Sequence, residues 1–220
     1  MNMTMYNIYK SLLGGVILLV ALSCSHPHRP VLKSDYQPSS TDTIVTHQTC
    51  PVEPFHGVSV SHVSTVDIEI GPACDVQVEG IQAVVNQNSS QVTDGVLQVG
   101  YQEQNDKQGR QLHVRIKAPA LDEIRVCDAG QVLVHGRPLV GKSLHVNLSG
   151  VNVAHLNACM QMHEIVGVIT DVMFTNFHVA CHRLSLSAKR AEHIQLRGKT
   201  HAYHFDGDHK RVDTQQLHQS

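Results

Sequence analysis

Residues 136–143 match the phosphate-binding loop pattern G-x-x-x-x-G-K-S letter for letter, and residues 132–134 could form the strand before such a loop. The matching positions are Gly136, Gly141, Lys142 and Ser143. A phosphate loop needs a helix directly after its Lys-Ser pair, because the helix N-terminus supplies the amides and the dipole that hold phosphate. Residues 144–150 instead alternate between apolar and polar side chains, as a strand does. We therefore interpret the match as a coincidence within a Gly-bounded turn and predict no nucleotide site.

Imidazoles and carboxylates are concentrated near the C-terminus, where they could ligate a metal ion. The candidates are His201, His204, Asp206, Asp208 and His209. Three imidazoles together with carboxylates suit Zn²⁺, Cu²⁺ or Ni²⁺. The segment is polar, however, and nothing in its sequence indicates a rigid scaffold for the ligands. These residues are therefore weak candidates, and we predict neither a metal site nor a cofactor.

The sequence lacks the residue sets that usually indicate an enzyme. It contains neither a G-x-S-x-G elbow nor an H-E-x-x-H helix. A glycan hydrolase or lyase built on stacked strands would need carboxylates along one ladder. The acidic residues are scattered instead, at Asp122, Glu123, Asp128, Glu164, Asp171 and Glu192. A net charge of −2 with 4% aromatic residues also argues against a nucleic-acid partner. We expect no catalytic residues.

The N-terminal segment has the features of an export signal. Lys10 is the one charged residue among residues 1–23, and the apolar stretch 12–22 is shorter than the roughly 20 residues of a membrane-spanning helix. The stretch ends in Ala-Leu-Ser followed by Cys24, which resembles a bacterial lipobox. That resemblance implies cleavage before Cys24 and its acylation, with palmitate or similar chains holding the protein in the outer or inner membrane. An uncleaved anchor helix, or a simple signal peptide with a chance cysteine, is the alternative.

The composition changes twice after this cysteine. Residues 24–54 are rich in Pro, Ser and Thr, which cannot build a core, so we expect a flexible tether. From residue 55 onward, apolar and polar residues alternate with the period of half-buried strands, as in residues 66–70. After Pro119 similar segments recur about every 20 residues. One such coil cannot bury its apolar face alone, so the rhythm predicts a stack of coils, a β-solenoid.

The chain has six cysteines, of which five remain for other chemistry if Cys24 carries lipid. In an oxidising compartment, an odd number leaves at least one thiol free or paired with another molecule. Cys159 and Cys181 lie about one repeat apart. A disulfide between adjacent coils and a pair of small buried side chains are both open at these positions.

Several segments resemble a known family. They are F-x-x-V at residues 55–58, [DG]-x-L-x-V at residues 94–99, V-x-I-x-x-P-x-L-x-x-I at residues 114–124 and a Ser-Gly repeat at residues 148–151. Over roughly residues 55–206 the chain is similar to the putative auto-transporter adhesin family with the head GIN domain. The resemblance implies a right-handed single-strand β-helix with a β-rich N-terminal portion, located in the bacterial envelope and without established catalytic residues. Residues 207–220 would follow as a polar tail.

These observations favour a non-catalytic binding, adhesion or scaffold module that a lipid holds at the membrane. Its partner would be an unidentified envelope protein or glycan, and self-association through an uncapped coil end is also considered. Two alternatives stay open: a glycan-acting enzyme, and a metal-binding or acid-responsive lipoprotein, since the chain has 17 His. A groove with clustered carboxylates would favour the enzyme, and convergent imidazoles near His201 would favour the metal-binding or acid-responsive lipoprotein.

Overall fold

The computed structural model describes residues 45–50, 52–101 and 112–219, which all belong to one compact unit, Pro38–Ser220. The predicted signal peptide, Cys24 and most of the predicted tether lie outside the described residues. Among the residues described, no helix is long and apolar enough to cross a membrane.

Strands dominate the described residues, and the prediction of an all-β solenoid is confirmed. The strands are β1 Val45–Thr49, β2 Gly57–Ile70, β3 Asp75–Ile81, β4 Asn88–Thr93, β5 Val96–Tyr101, β6 His113–Ala118, β7 Glu123–Gly136, β8 Leu139–Thr170, β9 Phe174–Lys189, β10 His193–Asp206 and β11 Val212–Gln219. A short helix, α1, covers Gln82–Gln87, and a 3-10 turn covers His209–Arg211. All eleven strands belong to one sheet.

The solenoid is built by parallel stacking of β7, β8, β9 and β10. Each strand lies in register on the next, so that Ile124 is opposite Val146 and Leu156 is opposite Phe177. Phe177 is in turn opposite Leu196. These five side chains are buried. Because like positions of successive coils meet, their apolar side chains form continuous ladders, and this explains the recurrence of similar segments in the sequence.

The strand β2 forms a coil of the solenoid whose position in the stack differs from its position in the sequence. One edge of β2 pairs in parallel with β7, beginning with Gly57 opposite Glu123. Its other edge pairs with β5 over residues 57–61 and with β6 over residues 65–70. Strands β5 and β6 therefore form the first coil, and β2, which precedes them in sequence, is inserted as the second. Alternation alone does not reveal this order, because β2 shows the same pattern as its neighbours.

Successive coils turn at one column of residues with a left-handed backbone. His62, Asp128, Gly150, Asp171 and Arg190 have φ between 52° and 64°. The residues around them are paired from coil to coil, so the five positions follow one another through the stack. Glycine adopts this conformation without strain, and aspartate tolerates it better than most residues do. The guanidinium of Arg190 donates two hydrogen bonds to the carboxylate of Asp171, which ties two of the corners together.

The sheet extends past both predicted limits of the domain. β1 lies within the segment predicted as a tether (24–54), where it pairs antiparallel with β3, and Cys50 directly after it is buried. β11 lies within the segment predicted as a polar tail (207–220) and pairs in parallel with β10. Val212 and Leu217 of β11 pack half-buried against the core. Strands thus occupy part of both segments, because backbone pairing and a few apolar contacts suffice for a strand with one solvated face.

The two ends of the stack differ. At the first coil, β3 runs antiparallel to β6, and β4 runs antiparallel to β5. The helix α1 buries Val84 and Val85 in the core at this end. At the last coil, β11 pairs only with residues 194–200 of β10. The first coil is therefore covered by strands of the opposite direction, whereas within the described residues the last coil is covered in part.

Candidate functional site

Three exposed histidines form a column on successive coils, which we term the imidazole ladder: His163 on β8, His182 on β9 and His201 on β10. The ring centroids of His163 and His182 are 5.0 Å apart, and their planes differ by 10°. The centroids of His182 and His201 are 4.9 Å apart, and those planes differ by 38°. These distances match the spacing of neighbouring strands, about 4.8 Å, because the register places the three histidines side by side.

The residues that precede the ladder fix its outward orientation. Met162, Cys181 and Thr200 come directly before the three histidines, and all three are buried. Since successive side chains of a strand point to opposite sides, the histidines face solvent. Cys181 Sγ donates a hydrogen bond to Thr200 Oγ1 over 3.5 Å. Burial raises the pKa of the Cys181 thiol, while this hydrogen bond opposes the shift, so the sulfur stays protonated and apolar in character.

The surroundings of the ladder differ in charge and size along its length. Arg183 Nη1 donates a hydrogen bond to Glu164 Oε1 at 3.0 Å, so this neighbouring carboxylate is already engaged. Two residues before the histidines lie Gln161 on β8, Ala180 on β9 and Lys199 on β10. Lys199 places a cation near the β10 end of the ladder.

A second column of rings lies on the same three strands, and we term it the ring column. Phe174 lies between His155 and His193, with centroid distances of 5.5 Å and 5.4 Å. The planes of Phe174 and His193 differ by 18°. Phe174 is half-buried and His193 is exposed. The column therefore combines an apolar ring, that of Phe174, with imidazole nitrogen groups at a solvent-facing position. Aromatic residues in binding surfaces often have this amphipathic character.

An open groove of about 390 Å³ lies along the outward side of β2. Its lining includes the short side chains of Thr65 and Asp67 and the longer ones of Arg115 and Glu79. His135 Nε2 lies 2.8 Å from Asp67 Oδ1, and Arg115 Nη2 lies 3.9 Å from Glu79 Oε2. Each carboxylate thus has its own basic partner.

The residues considered as metal ligands do not converge on one another. They are His201, His204, Asp206, Asp208 and His209. His209 packs edge-on against Phe205, and Asp208 accepts a hydrogen bond from the backbone N–H of Lys210 at 3.0 Å. In the part of the chain that the structure describes, no group of three His, Cys, Asp or Glu side chains is arranged as a metal site. His201 instead joins the imidazole ladder. The 19-residue spacing of the ladder histidines was the sequence signal for this contact.

The G-x-x-x-x-G-K-S segment lies at the junction of two strands. Gly136 ends β7 with a φ of 103°, and Gly141, Lys142 and Ser143 lie within β8. The chain continues as strand after Ser143, so the described residues provide no helix N-terminus for a phosphate at this point. The structure places a turn between coils here.

Cys50, Cys74, Cys159 and Cys181 are free thiols. Cys181 lies opposite Met162 of β8, whereas Cys159 lies in the irregular part of β8 where the register with β9 shifts. The structure therefore does not bring the two thiols of the considered disulfide into register. Cys24, the predicted lipidation site, lies outside the described residues.

Stacked parallel coils with an antiparallel cover at the first coil and outward columns of rings define a β-solenoid domain. The chain belongs to the family described as putative auto-transporter adhesin, head GIN domain, which matches residues 54–209. The resemblance inferred from the sequence is thereby confirmed. A comparison with curated proteins gives no match.

Solved structures share this fold. A putative lipid binding protein from Parabacteroides distasonis ATCC 8503 has a TM-score of 0.61 at 11% sequence identity, covering 78% of this chain and 76% of its own. A putative adhesin from the same organism has a TM-score of 0.61 at 14% identity, covering 75% of this chain and 70% of its own. At such identity the likeness shows the fold alone. The family favours a non-catalytic binding module at the bacterial surface or envelope.

Proposed function

We propose that the protein is a lipoprotein of the bacterial envelope whose solenoid acts as a non-catalytic binding or adhesion module. Membership in an adhesin-type family supports the module. The apolar leader that ends in Cys24 supports the anchor. The lipid holds the chain at a membrane, and the segment before β1 gives the solenoid its distance from the bilayer. The partner is an envelope protein or a glycan.

The observation that carries the binding function is the ring column. Phe174 keeps part of its apolar ring on an outward face, where complete burial of such a side chain would stabilise the fold by about 1.5–3 kcal/mol. Its neighbours are His155 and His193, so imidazole hydrogen-bonding groups border the exposed part of the Phe174 ring. Two strand spacings, roughly 10 Å, separate the outer rings. This length suits contact with a sugar residue or a short extended peptide.

A binding experiment with the full-length chain tests the module. The chain is applied to a glycan array and to immobilised envelope extract, and captured partners are identified and then titrated individually. Phe174→Ala is expected to weaken the binding of a true partner by about 0.5–1.5 kcal/mol or more. This is the energy that an aromatic contact contributes in addition to its buried area. His145→Ala is the matched control, because His145 is exposed on β8 outside both columns. Equal affinity of Phe174→Ala and the unmodified chain for every partner would refute the ring column as the binding surface.

A labelling experiment tests the anchor separately. Bacteria expressing the chain are fed labelled palmitate, and the protein is recovered from membrane and soluble fractions. Label and membrane association are expected in the unmodified chain and are expected to disappear in Cys24→Ser. Cys159→Ser is the control, since it removes a different thiol and should retain both. Label that persists in Cys24→Ser would contradict anchoring at this residue.

A further inference from the structure

We propose that the imidazole ladder captures a divalent transition metal ion, with Zn²⁺, Cu²⁺ and Ni²⁺ as the chemical class. Three exposed imidazoles, each one strand spacing from the next, form a concentrated set of the nitrogen ligands that these ions prefer. The ion would be shared by two adjacent rings, and water would complete its coordination. Capture of metal by the ladder does not depend on adhesion through the ring column.

The geometry of a shared ion requires a small movement of the rings. With metal–nitrogen distances of 2.0–2.1 Å, two imidazole nitrogens on one tetrahedral ion lie about 3.3 Å apart. Neighbouring strands hold the ladder positions about 4.8 Å apart. The tips of two rings must therefore approach by roughly 1.5 Å, which rotation of exposed side chains can supply on a ps–ns timescale.

The ring planes show which motion is needed. The rings of His163 and His182 are within 10° of parallel, so their nitrogen lone pairs, which lie in the ring planes, do not meet. The rings of His182 and His201 already differ by 38°. The column thus accommodates tilted rings. Tilting an adjacent pair towards a common point converts the stacked arrangement into a chelating one.

The position of each histidine in the column sets its contribution. His182 is next to both other rings, whereas His163 and His201 lie two strand spacings apart, about 10 Å, and cannot share an ion. Either pair therefore includes His182. Lys199 disfavours a cation at the His201 end, while Gln161 near His163 is neutral. The pair of His163 and His182 is the favoured site.

Isothermal titration of the tag-free full-length chain, stripped of metal with a chelator, tests the proposal with Zn²⁺ as the probe. His182→Asn is expected to weaken the tightest binding by more than roughly tenfold, the loss that even an outer-shell partner of a metal ligand can cause. The double variant His163→Asn/His201→Asn leaves a single ladder imidazole and is expected to show the same loss. His163→Asn alone leaves one pair and is expected to show a smaller effect than His182→Asn.

Two controls separate this site from weak binding by other histidines, of which the chain has 17 in all. His145→Asn removes an exposed histidine outside the ladder and should leave the tightest binding unchanged. Mg²⁺, which prefers oxygen ligands, should show no binding that depends on the ladder. Circular dichroism confirms that each variant is folded. Binding by His182→Asn that equals the unmodified chain, or an equal loss in His145→Asn, would overturn the proposal.

Discussion

Replacing Phe177 by alanine tests whether stacked apolar ladders stabilise this solenoid. Phe177 has an exposed fraction of 0%, and it lies opposite Leu156 on one side and Leu196 on the other, both also at 0%. The substitution removes a phenyl ring from the centre of a ladder of three residues. Rigid strands on both sides limit collapse into the resulting cavity. Substitutions of this type cost about 3–5 kcal/mol, and we expect a loss within that range.

The loss is measured as the change in the free energy of unfolding in urea and as the shift of the thermal midpoint, both followed by circular dichroism. For a domain of this size, each kcal/mol lowers the midpoint by about 2–4 °C, so a decrease of roughly 6–20 °C is expected. Phe177→Leu should recover most of the loss, because leucine occupies the same ladder position in both adjacent coils. Overpacking does not arise, since leucine is the smaller side chain.

Val140→Ala is the matched control for this substitution. Val140 has an exposed fraction of 63% and buries little apolar area, so its removal should change stability by less than about 0.5 kcal/mol. If Phe177→Ala and Val140→Ala destabilised the chain equally, the inference that inward ladders hold the coils together would be refuted. A loss confined to Phe177→Ala with a return in Phe177→Leu would support it.

Three further predictions concern single groups. His56 Nδ1 lies 2.9 Å from Asp122 Oδ1, and this hydrogen bond, together with the charge of the carboxylate, raises the pKa of His56. NMR titration should show its midpoint falling in Asp122→Asn, and the stabilisation from this pair should be present below the ordinary histidine pKa and be lost as the pH rises through the raised value. Gly198→Ala should lower the free energy of unfolding in urea by about 1–3 kcal/mol, because Gly198 has a φ of 112° and a Cβ there would meet the backbone of β9. Gly71→Ala is the control and should be nearly neutral, since a Cβ at Gly71 would have no atom closer than 3.8 Å. Burial raises the pKa of Tyr203 to about 12, so an absorbance titration should show one phenol, absent in Tyr203→Phe, ionising last.

The solenoid could be predicted because each coil repeats the same pattern of buried and exposed side chains. Alternation in segments such as residues 66–70 indicates half-buried strands, and their recurrence after Pro119 indicates stacked coils. The position of β2 could not be predicted in this way. It depends on pairing with β5 and β6, which follow it in the chain and form the first coil. A strand's alternation records which side is buried and contains no information on which neighbour covers its edges.

The imidazole ladder shows the same limit at a finer scale. His182 and His201 are 19 residues apart, as are Phe174 and His193, which lie opposite each other. Between β7 and β8 the spacing is longer, since Glu123 lies opposite His145. A rhythm of about 20 residues is too coarse to place one imidazole on another, because a shift of one residue moves a side chain to the other face of the strand. The register between β8 and β9 shifts near Cys159, and this shift determines that His163 lies beside His182.

The insertion of β2 between the first coil, formed by β5 and β6, and the strand β7 has a consequence for the order of assembly. As the chain emerges from its N-terminus, β2 appears before its three partner strands, β5, β6 and β7. Its pairing with β7 joins residues separated by 66 positions, as with Gly57 and Glu123. The cost of closing so long a loop precedes the contacts that compensate for it, and this slows folding. The pairing of β2 with β7 therefore cannot form until residues beyond 123 have been synthesised.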